Sequence, residues 1–166
     1  YSGDCKYDLK NNLLMSFLTQ ALDMVYTEEI REKEGGTYGV SCYGGLNKYP
    51  TEDLMMQIVY QTDPEKYEKL NAIIDREMKE MAEQGPSDEH LQKIKEYMLK
   101  KYNDNQKENS YWLNNLDNYF FTSVDNTKDY VETVNAISKA DVQKFAADML
   151  KQGNKITVVM TVPDKK

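Results

Sequence analysis

The sequence predicts an α+β domain in which helices cover one face of a mostly antiparallel sheet. Apolar residues recur at three- and four-residue steps through most of the chain. The spacing switches to alternation in two stretches, 37–45 and 53–62, joined by a Gly-containing loop, and again at 155–162. The resulting order, α-β-β-α-α-α-α-β, is that of a layered α+β fold.

Over residues 8–34, Leu9, Leu13, Phe17, Ala21 and Val25 stand four apart, and Leu14, Leu18 and Leu22 widen the stripe to one suited to packing on a sheet. Asp8 is a candidate cap, and Gly35 with Gly36 can take the left-handed conformation that satisfies the last helical carbonyls. From 37 to 45 the alternation places Tyr38, Val40 and Cys42 on one face and Thr37, Ser41 and Tyr43 on the other. Residues 44–50 form a loop, and Leu54, Met56, Ile58 and Tyr60 line the more apolar face of the second strand, an antiparallel partner of the first.

Asp63 followed by Pro64 marks a helix start. Tyr67, Leu70, Ile74, Met78 and Met81 give this helix one buried face, and Gly85-Pro86 ends it. Ser87 caps the next, with Asp88 and Glu89 in its first turn and Leu91, Ile94, Met98 and Tyr102 as its stripe. Residues 103–109 continue or fray that helix. Ser110 opens a shorter one, whose Trp112, Leu116 and Phe120 are expected in an aromatic core contact. A short helical turn follows at 129–135, then a capping-box-like start at Ser138 and Asp141 for a helix burying Val142, Phe145, Ala146 and Leu150. The last strand, 155–162, places Ile156, Val158, Met160 and Val162 on one face before Pro163 stops it.

The 166 residues suit a single domain spanning 1–166. A net charge of −7, with lysines spread along the helices, argues against a nucleic-acid surface. No apolar run approaches the ~20 residues that span a bilayer. Cys5 and Cys42 are too few for a metal motif and are expected as two thiols, a disulfide between them staying open. His90 is the sole histidine; no HExxH or HxxEH occurs, so no metal site is expected in this chain. In its charged helical turn His90 is expected to be solvated, as is the charged run 28–34. Residue by residue, Arg31 is a cation placed well for a helix C-terminus and Tyr38 an ordinary strand tyrosine.

The segment Ile30-Arg31-Glu32-Lys33-Glu34-Gly35-Gly36-Thr37-Tyr38 resembles the Arg…Tyr motif of the pitrilysin/insulinase family of zinc metallopeptidases, in its metal-free C-terminal type of domain. The likeness runs over nearly the whole chain. Asp63-Pro64 stands at the helix after the hairpin, Gly85-Pro86-Ser87-Asp88-Glu89 at a break between helices, Asn109-Ser110-Tyr111-Trp112 at a form common in bacterial members, and Ile137-Ser138-Lys139-Ala140-Asp141-Val142 at a late helix start.

The resemblance implies that homologous domains pair around a peptide-binding chamber. The partner domain of the same parent protein carries the inverted zinc motif, so zinc is a cofactor of the parent and not of this chain. Arg31 would hold a main-chain carbonyl of the peptide substrate, and Tyr38 would donate its phenolic proton to the carbonyl oxygen on which charge develops, with Gly35, Gly36 and Gly39 shaping the turn. Alone, the chain should not hydrolyse peptides. The alternative is a catalytically inactive interaction or scaffold module of the same fold. Location stays open: a soluble protein, periplasmic or cytoplasmic if bacterial. Family domains begin with one or two strands before the first long helix, so a truncated sheet with an open edge is expected.

Overall fold

Helix α1 (Leu9–Tyr26) lies across the hairpin formed by β2 (Val40–Asn47) and β3 (Asp53–Tyr60), and the other core helices gather around it. The computed structural model describes residues 1–35 and 37–161. A three-residue strand β1 (Ser2–Asp4) joins the sheet, whose order is β1-β3-β2 with both pairings antiparallel. Helices α2 (Tyr67–Gln84), α3 (Asp88–Asn105), α4 (Asn109–Thr122), α5 (Tyr130–Ala136) and α6 (Lys139–Lys151) follow.

Alternation sorts the sheet into two faces. Val40, Cys42 and Leu46 of β2 and Leu54 and Met56 of β3 are buried under α1, whereas Tyr43, Met55 and Val59 are exposed on the opposite face. The expected α+β layer with helices on one face is therefore what forms. Leu13, Leu14, Phe17, Leu18, Ala21 and Leu22 are all buried along α1, the stripe that the spacing predicts. Asp8 caps the helix, its carboxylate accepting from the Asn11 N–H at 2.9 Å.

Two contacts fix α1 on β2. The Asp23 carboxylate accepts from the Cys42 N–H at 2.6 Å; burial pushes its titration up, and this hydrogen bond partly offsets the shift. At Gly44 the helix comes so close that a Cβ would lie 2.4 Å from the Met15 sulfur. Further round the core, α6 has the predicted capping box between Ser138 and Asp141 and buries Val142, Phe145, Ala146 and Met149.

Several expectations are corrected. The first helix stops being α-helical at Tyr26, and Thr27–Lys33 is a π-helix. Strand β2 begins at Val40, so Tyr38 escapes the alternation and does not share the inward face of Val40 and Cys42. Asp63 does not cap α2: residues 63–66 close a turn with the Lys66 N–H on the Asp63 carbonyl (2.9 Å), and the helix starts at Tyr67.

The aromatic stripe of α4 is not core; Phe120 is 80% exposed, and Thr122 is the one buried residue of that helix. Helical spacing establishes that a stripe exists but not that another element covers it. Finally, residues 155–161 carry no strand, and Val162 lies outside the described residues. A strand needs an edge to pair with, and the neighbouring β1 is three residues long, linked here through the Ser2 N–H to the Asn154 carbonyl. Ile156, Val158 and Met160 are accordingly exposed.

Candidate functional site

The corner between α1 and β2 is built by a segment whose charges are mostly spoken for. A π-helix of seven residues is long for this form, which packs less favourably than an α-helix and is concentrated at functional sites. Tertiary contacts hold it. Ile30 is fully buried in the core. Glu29 pairs with Lys33 on its own turn and with Arg76 of α2 at 3.1 Å; the Lys33 hydrogen bond, with Arg76 adding to it, holds the Glu29 carboxyl below the usual range. Glu34 meets Lys69 of α2 at 2.5 Å, and Glu28 lies 3.5 Å from the His90 imidazole of α3.

The run 28–34 is therefore not simply a solvated face. Nor is His90 solvated: its side chain is 13% exposed. Its Nδ1 is buried without a hydrogen-bond partner. Set among these paired acids, Arg31 is exposed and makes no ion pair or hydrogen bond among the described residues. A cation left over in this way is available to an incoming acceptor.

After Glu34 the chain turns at Gly35, whose φ of +56° is left-handed, where a side chain would be strained. Gly36, the other residue of the expected turn, lies outside the described residues. Thr37 then organises the exit. Its hydroxyl can donate to the Gln61 carbonyl at the end of β3 (2.5 Å) or to the Gly39 carbonyl (3.0 Å), while the Gly39 N–H donates to it at 3.3 Å. This clamp, which strand alternation alone does not suggest, ties the corner to β3 and leaves Tyr38 99% exposed.

Tyr38 borders a shallow cavity of about 210 Å³ on the helix-free face, with Ser41, Tyr43, Val59 and Gln61 among its lining and no charged residue. Arg31 does not line that cavity. The structure thus places Arg31 and Tyr38 on either side of one corner, both exposed, with no hydrogen bond or cation–π contact between them among the described residues. Alternation already sets Thr37, Ser41 and Tyr43 on one face, but that Val59 and Gln61 join them depends on the pairing of β2 with β3, in which Ser41 faces Val59 and Tyr43 faces Gln57.

No group of three or more His, Cys, Asp or Glu among the described residues could hold a metal ion. His90, the sole histidine, has Glu28 as its one ion-pair contact among the described residues and no second metal-ligating group gathers with it, so the donors present do not fit zinc. Both cysteines are free thiols, and burial pushes Cys42 up to about 12 and Cys5 up to about 11. No described helix is long and apolar enough to cross a membrane.

Fold and corner together define an α+β layered domain without a metal centre of its own among the described residues. The sequence profile of the family described as "Peptidase M16 inactive domain" matches residues 3–98, more than half of the chain, and the chain belongs to that family, the pitrilysin/insulinase peptidases in their C-terminal type of domain. No curated protein sequence matches.

Among solved structures, the periplasmic protease PqqL from Escherichia coli is similar with a TM-score of 0.78 and 16% identity, covering 90% of this chain and 17% of that one. A protease from Helicobacter pylori follows at 0.77 and 15%, covering 90% and 36%. The peptidase M16 inactive domain from Pseudomonas fluorescens gives 0.66 and 19%, covering 83% and 34%. At such identities the likeness is one of fold. The chain spans well under half the length of each of these structures.

Proposed function

We propose that this chain, as one domain over 1–166, is the substrate-binding and non-metal-binding domain of a zinc-dependent endopeptidase. Peptide is the substrate, and a homologous domain of the same parent protein holds the zinc. The observation that carries the reading is the exposed pair Arg31 and Tyr38 at the π-helix-to-strand corner, with Arg31 making no ion pair or hydrogen bond among the described residues while Glu28, Glu29 and Glu34 each have a partner.

Arg31 holds a main-chain carbonyl of the peptide through its forked donors, an interaction present before and during reaction. Tyr38 donates its phenolic hydrogen bond to the scissile carbonyl oxygen, where negative charge grows as the carbonyl carbon is attacked. The cleavage chemistry belongs to the other domain, and this chain alone does not hydrolyse peptides.

The test uses the complete protein that carries this chain and an unstructured peptide. Tyr38→Phe removes one donor aimed at a developing oxyanion and lowers kcat about 10²–10³-fold. Arg31→Ala lowers kcat/KM, and zinc content stays unchanged in both variants. Wild-type rates in both would reject the reading and leave an interaction module of the same fold.

A further inference from the structure

We propose that the outward stripe of α4 is a self-docking surface, on which two copies of this chain pair with their α4 helices antiparallel about a two-fold axis at Leu116. The inference stands apart from the peptide-binding reading.

Helix α4 is built inside out. Its half-buried or buried side is Tyr111, Asn115, Asn118 and Thr122, all hydrogen-bonding residues. The Tyr7 hydroxyl donates to Asn118 Oδ1 at 2.8 Å, and Asn118 Nδ2 donates to the Val124 carbonyl at 3.4 Å. The Thr122 hydroxyl donates to the Asn118 carbonyl at 2.7 Å. Turned to solvent instead are Trp112, Leu113, Leu116, Tyr119 and Phe120, between 44% and 80% exposed. At 3.6 residues per turn these five fall in one stripe, about a third of the circumference. A helix on the surface of a folded domain ordinarily buries such a stripe and exposes the polar side.

Size, symmetry and charge select a second copy as the cover. Three rings of ~150–250 Å² each, with the two leucines, leave about 500 Å² of the stripe in water, a patch of the size that marks an interaction site. Two stripes face to face remove about 1,000 Å² from water, the size a specific interface has to reach. The stripe is also symmetric about Leu116: Trp112 and Leu113 stand four and three residues before it, Tyr119 and Phe120 three and four after. Run antiparallel, the helices set Leu116 against its own image. Trp112 then meets Phe120 of the second copy and Leu113 meets its Tyr119, each pair occurring twice, as an isologous contact requires. Finally, the stripe is uncharged, and Asp117, the one charged residue of α4, lies beside it. Chains of net charge −7 repel one another, and an uncharged strip is where two of them approach at least cost.

The test is sedimentation velocity on the complete protein that carries this chain, diluted from about 100 μM. The wild type sediments as a dimer that dissociates on dilution. Leu116→Glu and Leu116→Lys each raise the dimer Kd at least about 100-fold, because at the two-fold axis each new charge meets itself. Mixed in equal amounts, the two variants pair Glu with Lys and return Kd to within about tenfold of the wild type. Leu116 is already half exposed, so both variants fold, which matching circular dichroism verifies. Asn114→Glu, exposed on α4 outside the stripe, leaves Kd unchanged.

A complete protein that stays monomeric at about 100 μM overturns the inference, the stripe then being covered within its own polypeptide or by a different partner. A dimer indifferent to both Leu116 substitutions overturns it as well. So does a mixture of the two charged variants that remains monomeric, since only self-pairing at Leu116 predicts the rescue.

Discussion

Replacing Gly44 by alanine would put a methyl group into the contact on which the α1–β2 layer depends. The added Cβ would meet Met15 Sδ at 2.4 Å, Thr19 Cγ2 at 2.9 Å and Met15 Cγ at 3.0 Å. Ordinary contacts between such atoms lie near ~3.5–4.0 Å, so the sulfur has to retreat by about 1 Å. It has little room to do so: Met15 and Thr19 are both buried, and Phe17 and Leu18 between them are fully covered. Overpacking of this kind costs about 1–3 kcal/mol, which for a domain near this size lowers Tm by about 2–12 °C.

Gly45, the next residue of the same strand, is the internal control. It points to the other face with nothing within 4 Å of its added Cβ, and alanine there is neutral or stabilising by up to about 1 kcal/mol. Urea unfolding followed by circular dichroism measures both, with the midpoint moving and the m-value constant. Shortening Met15 to alanine is destabilising by itself but frees the space, so Gly44→Ala costs less in that background. Equal stability of Gly44→Ala and Gly45→Ala would refute the close approach of helix to sheet.

Two further outcomes are expected besides the kinetic ones given above. The Asp141 carboxyl is held down at about 2, below its ordinary 3.8, first by the Lys10 hydrogen bond and then by Ser138. A depressed folded value means that this stabilisation is present above the ordinary value and is lost as pH falls from about 4 to about 2. Asp141→Asn should therefore cost about 1 kcal/mol at pH 7 and almost nothing at pH 2, measured by urea midpoints at the two pH values. In protein dilute enough to be unpaired, Phe120→Ala on the uncovered face of α4 should change stability by less than about 0.5 kcal/mol, whereas Phe17→Ala in α1 should cost about 3–5 kcal/mol; thermal unfolding of the two variants side by side decides it.

What the sequence determined by itself was most of what depends on neighbours a few residues apart. The α1 stripe, the inward and outward faces of β2 and β3 and the Ser138–Asp141 capping box were legible because helix and strand periods are local properties of the chain. The Arg31 and Tyr38 pair is singled out only by its resemblance to a known motif, since no local period distinguishes it.

The tertiary structure decided which periodic faces found a partner, and that is why Phe120 and Ile156 are exposed despite sound spacing. It also decided the conformation of the corner. The run 28–34 carries an ordinary helical charge pattern, but Arg76, Lys69 and His90, distant in sequence, draw on Glu29, Glu34 and Glu28 and accompany a wider turn. Tyr38 turns outward because Thr37 finds the Gln61 carbonyl across the hairpin. Contacts between residues dozens of positions apart leave no period in the chain, and they arise only once the core has brought the helices and strands together.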